Sequence, residues 1–171
     1  TTFDKAGLSI PTTIDELMAA GPIFKEKLGD DYYPLEGTAL DASLLIQMFI
    51  TQKTGKSFIN PETNEVQWTE SDIQDGIDFY QSMVDGHVIE SWKDKAAAGN
   101  IALHENPKWT DGRIAGSYQW DTTYFKISDP LQEGQELVPA GLLRIDGALN
   151  DGVYRKPSMV FSISANSAKK E

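Results

Sequence analysis

The stretch that decides the fold is R-I-A-G-S-Y-Q-W-D, Arg113 to Asp121, reached through Trp109-Thr110-Asp111-Gly112. Ile114, Gly116, Tyr118 and Trp120 alternate with Arg113, Ala115, Ser117 and Gln119, the two-residue period of a strand with one buried face. Trp120 closes that strand, and Asp121 and Thr122 follow as N-cap residues for a short helix through Tyr124, Phe125 and Ile127. A large aromatic thus falls where a strand ends and a helix begins. In an open α/β sheet this edge is where ligands bind, because strand ends leave a crevice and helix N-termini offer free N–H donors.

Upstream, Thr13-x-x-Glu16 reads as a capping box that opens a helix with Ile14, Leu17, Met18, Phe24 and Leu28 on its apolar face. Gly21-Pro22 is expected to kink or interrupt that helix, and Gly29 to end it. Tyr32-Tyr33-Pro34-Leu35 reads as a short strand, kept to an edge or an end by Pro34. Its exit loop, Glu36-Gly37-Thr38, leads into a second helix with Leu40, Leu44, Leu45, Met48 and Phe49 on one face, finishing near Gly55. Ser57-Phe58-Ile59 and Val66-Gln67-Trp68 flank a turn-rich segment and form a surface hairpin. Thr69-x-x-Asp72 opens a third helix through Ile73, Ile77, Tyr80, Met83 and Val84 to Gly86. Weaker helical patterns run over 91–98 and 101–109. Downstream, the chain is loop-rich until Ser158 to Ser164, whose apolar run predicts a largely buried strand.

A chain of 171 residues favours one domain, burying roughly 70% of the surface its unfolded form would expose. The absence of cysteine excludes disulfides, thiolate metal sites and thiol nucleophiles. Fifteen basic against twenty-six acidic residues give a formal charge of −11, which repels phosphate backbones and anionic lipid and argues against nucleic acid as a partner. No apolar run reaches the roughly 20 residues of a membrane span, and no signal peptide stands at the N-terminus. The chain opens without methionine and reads as a piece of a longer protein.

Motifs for catalysis are missing. No G-x-S-x-G elbow, S-x-x-K signature or Gly-rich phosphate cradle occurs. His87 and His104 pair with nothing at helical spacing; His87 follows Gly86, where a surface cation would suit the helix dipole. Asn60, Glu62, Asn64 and Glu65 match no EF-hand spacing and read as a hairpin turn, so no metal is expected. Tyr32, Tyr33, Trp109, Tyr118, Trp120 and Tyr154 fall in strands, strand ends or loops rather than in the regular helices. Such rings pack on the C–H face of a sugar while neighbouring carboxylates, amides and guanidinium groups bond its hydroxyls. Trp109 and Tyr118 read as core residues; Trp120 is open between core and ligand.

Five segments carry a resemblance: F-D-K-A-G-L-S-I-P-T-T-I-D-E-L at 3–17, Y-Y-P-L at 32–35, I-Q-D-G-I-D-F-Y-Q-S-M-V-D-G at 73–86, W-T-D-G-R-I-A-G-S-Y-Q-W at 109–120 and K-P-S-M-V-F-S-I-S-A-N-S at 156–167. In order and spacing they resemble the family 1 extracellular solute-binding proteins, the sugar-capturing components of ABC importers. Gly116 and Tyr118 depart from the family's Met-rich pattern, and Ala168 stands where a lysine often follows the serine. The resemblance implies an α/β fold, a type II periplasmic-binding-protein-like lobe with a small mixed sheet surrounded by helices. Residues 1–171 would then be the second lobe of a two-lobed protein that closes on its ligand, the first lobe lying outside this chain. It implies a non-enzymatic sugar or oligosaccharide receptor, monomeric and without cofactor. Through the full-length protein it would meet ABC permease subunits, in the periplasm or lipid-anchored at the cell surface. Trp120 would stack on a sugar ring, Asp121 and Glu36 would accept from hydroxyls, Arg155 would donate, and Tyr154 would stand at the cleft rim. A glycan-processing enzyme with an acidic pair, and an interaction module presenting an aromatic face to a protein, are the alternatives.

Overall fold

Thr1, Thr13, Thr38 and Thr69 begin four helices by the same reciprocal exchange. In the computed structural model, which describes residues 1–153 and 162–169, these open α1 (Thr2–Ala6), α2 (Ile14–Leu28), α3 (Ala39–Thr54) and α4 (Glu70–Asp85). Each threonine hydroxyl accepts from the N–H three residues on, and the carboxylate there accepts from the threonine's own N–H. Two otherwise orphaned donors are satisfied at each start. We expect Thr69→Ala to lower stability by about 1 kcal/mol in urea unfolding; an unchanged midpoint would show that this box holds nothing.

Smaller pieces complete the chain: α5 (Trp92–Ala97), a 3-10 turn at Leu103–Glu105, α6 (Pro107–Thr110), a second 3-10 turn at Asp121–Thr123, and α7 (Tyr124–Ser128). The expected break at Gly21-Pro22 does not occur, for α2 continues through both. Pro22 faces solvent while Leu17, Ala20 and Phe24 are buried around it, so packing holds the helix despite the missing N–H. Asp121 and Thr122 do not cap the final helix; Trp120 and Thr123 occupy the N-cap positions of the second 3-10 turn and of α7, and Thr123 Oγ1 donates back to Trp120 O at 2.6 Å.

The sheet is thinner than the sequence suggests. Extended chain at 33–36 runs parallel to 113–117, with isolated bridges at Tyr33–Ile114 and Glu36–Ser117. Tyr33 N donates to Arg113 O at 2.8 Å, Ala115 N to Tyr33 O at 2.9 Å and Glu36 N to Gly116 O at 2.8 Å. On its other side Leu35 N donates to Val88 O at 3.0 Å. Leu35, next after Pro34, turns its N–H to Val88 and away from the 113–117 segment, which leaves a pair of separate bridges in place of a continuous strand. The remaining pairings are a parallel bridge between Thr13 and Arg144 and an antiparallel one between Ile59 and Val66 in the predicted hairpin. Of the predicted strand over 158–164, residues 158–161 lie outside the described residues, and 162–164 are exposed and unpaired.

The main core joins Ile14 and Leu17 of α2, Leu35, Leu45 and Met48 of α3, Phe79 and Met83 of α4, and Val88-Ile89. The buried faces of α3 and α4 differ from those predicted: Leu40, Ile73 and Ile77 are exposed, while Gly76 and Phe79 are buried. Gly76 explains the rotation. A Cβ there would lie 2.7 Å from Ile50 Cδ1 and 2.8 Å from Ile46 Cγ2, so the bare backbone admits the α3 side chains. Phe49 and Phe79 stack beside it with centroids 4.3 Å apart. Trp109, predicted as core at the end of the weaker helical pattern over 101–109, is indeed buried and sits in the short α6, its Nε1 donating to Ile127 O at 2.8 Å. His87 is no surface cation: it is half-buried, stacked on Tyr33 at 4.4 Å, with Nε2 3.1 Å from Tyr32 O. Burial, with Lys25 nearby, pushes its pKa down.

Candidate ligand-binding site

The parallel pairing delivers Glu36 to the carboxyl end of its extended segment, where it is 3% exposed. Ser91 caps α5 by accepting from Asp94 N, and that short helix carries Lys95 over Glu36. Lys95 Nζ lies 2.5 Å from Glu36 Oε1 and donates to Gly37 O at 2.5 Å. Glu36 Oε2 is buried with no hydrogen-bond partner among the described residues. Burial raises the Glu36 pKa above the ordinary range, and the Lys95 charge opposes that rise.

Immediately beyond, Thr38 caps α3 and Asp41 is 1% exposed. The Asp41 carboxylate accepts from Thr38 N at 3.1 Å, from Thr38 Oγ1 at 2.6 Å, and from Gln119 Nε2 at 2.9 and 2.8 Å through its two oxygens. This bond ties the end of the 113–119 segment to the α3 N-terminus and so fixes the backbone from which Trp120 departs.

A cavity of about 480 Å3 opens beside Glu36, bounded by the 36–39 loop, α5 and the 100–108 segment. Its wall includes Lys95, Trp92, Glu90 and Lys108. Lys108 Nζ lies 2.7 Å from Glu90 Oε1 and 3.3 Å from Asp31 Oδ1, and 5.4 Å from the centroid of the Tyr33 ring. Burial pulls the Lys108 pKa down, but Glu90 and Asp31 together outweigh it and hold the pKa above its ordinary value. Trp92 is 52% exposed, with Tyr80 behind it at 5.8 Å between centroids. Two charge pairs and one indole thus surround a concave space, an arrangement suited to holding a polar ligand. Among the described residues no cluster of three or more His, Asp or Glu side chains gathers as a metal site.

Of the residues singled out in the sequence, Glu36 lines this cavity. Trp120 is half-buried at the start of the second 3-10 turn, at the same edge, and Asp121 beside it is exposed. Neither belongs to the cavity wall. Tyr154 and Arg155 lie outside the described residues. Lys95, Glu90, Lys108 and Trp92 were not anticipated. The weak helical pattern over 91–98 covers Trp92 and Lys95, but nothing in the order of residues couples Lys95 to a carboxylate 59 positions earlier.

The fold has close counterparts. A crystal structure of a periplasmic solute-binding protein from Pectobacterium atrosepticum superposes with a TM-score of 0.89 at 35% identity, over 98% of this chain and 42% of that one. The chain matches one portion of a periplasmic solute-binding protein. A periplasmic oligogalacturonide-binding protein from Yersinia enterocolitica, solved with saturated digalacturonic acid, superposes with a TM-score of 0.82 at 38% identity, over 88% of this chain and 37% of that one. A de novo designed cysteine esterase also matches, with a TM-score of 0.81 at 38% identity over 88% of this chain and 37% of the other. This sequence has no cysteine to supply such a nucleophile. No protein-family profile and no curated protein matches the sequence. This chain therefore spans about two-fifths of the length of these neighbours. Its kinship with periplasmic proteins gives it an extracytoplasmic setting, and no helix among the described residues is long and apolar enough to cross a membrane.

Proposed function

We propose that this segment is one lobe of an extracytoplasmic carbohydrate receptor, the second of two, that hands its ligand to the permease of an ABC importer without chemical change. The likeness to a protein solved with digalacturonic acid carries this reading. The position of Glu36 and Trp120 at the carboxyl ends of paired extended segments supports it. In this reading Trp120 stacks on a sugar ring, Asp121 and Glu36 accept from hydroxyls, Arg155 donates and Tyr154 closes the rim. The receptor is a monomer, in the periplasm or lipid-anchored, and needs no cofactor.

A single lobe encloses a ligand on one side only, so its affinity is weak, in the millimolar range. The test is an NMR titration of the chain with digalacturonic acid, maltose, cellobiose and lactose, following the four indole N–H signals. At least one sugar is expected to shift the Trp120 signal, and Trp120→Ala to weaken that sugar by about tenfold. If no sugar moves any indole at high millimolar concentration, the carbohydrate reading fails.

A further inference from the structure

We infer that Trp92 and Lys95 join Glu36 in a saccharide subsite beside the one built on Trp120, and that it reads two adjacent hydroxyls of a sugar ring; this rests on the carbohydrate function proposed above. The donor and acceptor inventory leads to it. An ionised carboxylate only accepts, and Glu36 gives Oε1 to Lys95 while Oε2, buried in a residue that lines the cavity, accepts from nothing among the described residues. Buried carboxylate oxygens are rarely left so, because the desolvation is then uncompensated. An ammonium has three N–H donors, and Lys95 directs two, to Glu36 and to Gly37 O. One acceptor and one donor remain, held side by side by the ion pair itself.

A hydroxyl both donates and accepts, so two neighbouring hydroxyls satisfy this pair: one donates to Glu36 Oε2 and the other accepts from Lys95. An anionic group placed there would meet the Glu36 charge, and a cationic one the Lys95 charge. A sugar that carries a carboxylate must therefore hold it away from this corner and present its diol.

The indole supplies the apolar half of the recognition. Trp92 and Lys95 stand three residues apart on α5, hence on one face of that helix. Trp92 lines the same cavity as Glu36, is half exposed, and is braced by Tyr80 at a 50° tilt. A pyranose whose hydroxyls reach the pair presents its C–H face to such a ring.

The experiment is the same titration of the chain with digalacturonic acid, maltose, cellobiose and lactose, read at Trp92 and with variants. A binding sugar is expected to shift the Trp92 indole signal while Trp68, whose Nε1 donates to Lys56 O on the hairpin, stays still. Trp92→Ala should weaken that sugar about tenfold, and Trp92→Phe, which keeps a stacking ring, by much less. Since Trp92 lies largely outside the core, both variants should keep the wild-type amide spectrum elsewhere. A deoxy form of the binding sugar, lacking one of two adjacent hydroxyls, should lose a further factor of about ten, because a buried partner is left unpaired. If a sugar shifts Trp120 but leaves Trp92 still, and Trp92→Ala binds it unchanged, the subsite is wrong and the receptor reading stands. If no sugar shifts any indole, both fall together.

Discussion

Lys95→Met is expected to destabilise the fold by about 3–5 kcal/mol, the loss typical of removing one partner from a buried ion pair. The side chains of Glu36 and Lys95 are only 4% and 12% exposed, so water screens neither well. Without the ammonium the Glu36 carboxylate is left buried, with Oε2 already unpartnered and Oε1 now without its only bond. Methionine fills similar volume, which keeps a cavity from confounding the result.

The loss should also depend on pH. Burial holds the Glu36 pKa above its ordinary value even with Lys95 present, and removing the cation raises it further. A raised folded-state pKa means that the native form binds the proton more tightly than the unfolded chain. That contribution is fully present below the unfolded pKa of about 4.3 and is lost as pH rises through the folded value. The gap between variant and wild type should therefore shrink between about pH 8 and about pH 5, and Glu36→Gln in the same chain should restore part of the stability. Urea unfolding at both pH values measures this. A deficit below about 1 kcal/mol at neutral pH, or one that widens on acidification, would mean that the pair is not buried as described.

Gly21→Ala should lower stability by about 3 kcal/mol or more, although helix propensity alone predicts a gain of about 1 kcal/mol for alanine over glycine inside a helix. The sign of the result decides between the two effects. A Cβ on Gly21 would lie 2.0 Å from Gly86 O and 3.0 Å from both His87 C and Val88 N. These are backbone atoms of the turn that ends α4 and feeds the Val88–Glu90 segment, so no side-chain rotation relieves the clash. Moving that turn would loosen the bond from Leu35 N to Val88 O and, through it, the placement of Glu36 and Glu90 at the cavity. Ala19→Gly, on the exposed side of the same helix, should cost only the propensity difference of about 1 kcal/mol. Chemical denaturation of the two variants in parallel would expose a wrong account if Gly21→Ala proved as stable as wild type.

The helices were legible because their signals are local. Thr13 and Thr69, each with a carboxylate three residues on, mark the starts of α2 and α4, and Gly29, Gly55 and Gly86 stand at the ends of α2, α3 and α4; the five-residue α1 was too short to be told from a turn. Extended segments were legible only as tendencies. Alternation at 113–120 gave the correct location, but Leu35, whose N–H turns to Val88, and Gln119, turned toward Asp41, limit real pairing to two bridges. The buried face of α4 was misread because Ile73 and Ile77 looked like the stripe, whereas Gly76 was the residue that α3 needed.

The site divides along the same line. Glu36 was nominated because it follows a predicted strand, and Trp120 because it ends one; both inferences use only neighbours along the chain. Lys95, Lys108 and Trp92 could not be found that way, since each acquires its role from a partner or a cavity wall brought near by folding. Sequence alone therefore determined where α2, α3 and α4 begin and end and the acidic, cysteine-free character of the chain, and it nominated an edge for a ligand. The tertiary structure decided which helix faces are buried, how little of the sheet closes, and which charges pair. Capping and period are properties of a few consecutive residues, while packing and charge pairing depend on distances that only the folded chain defines.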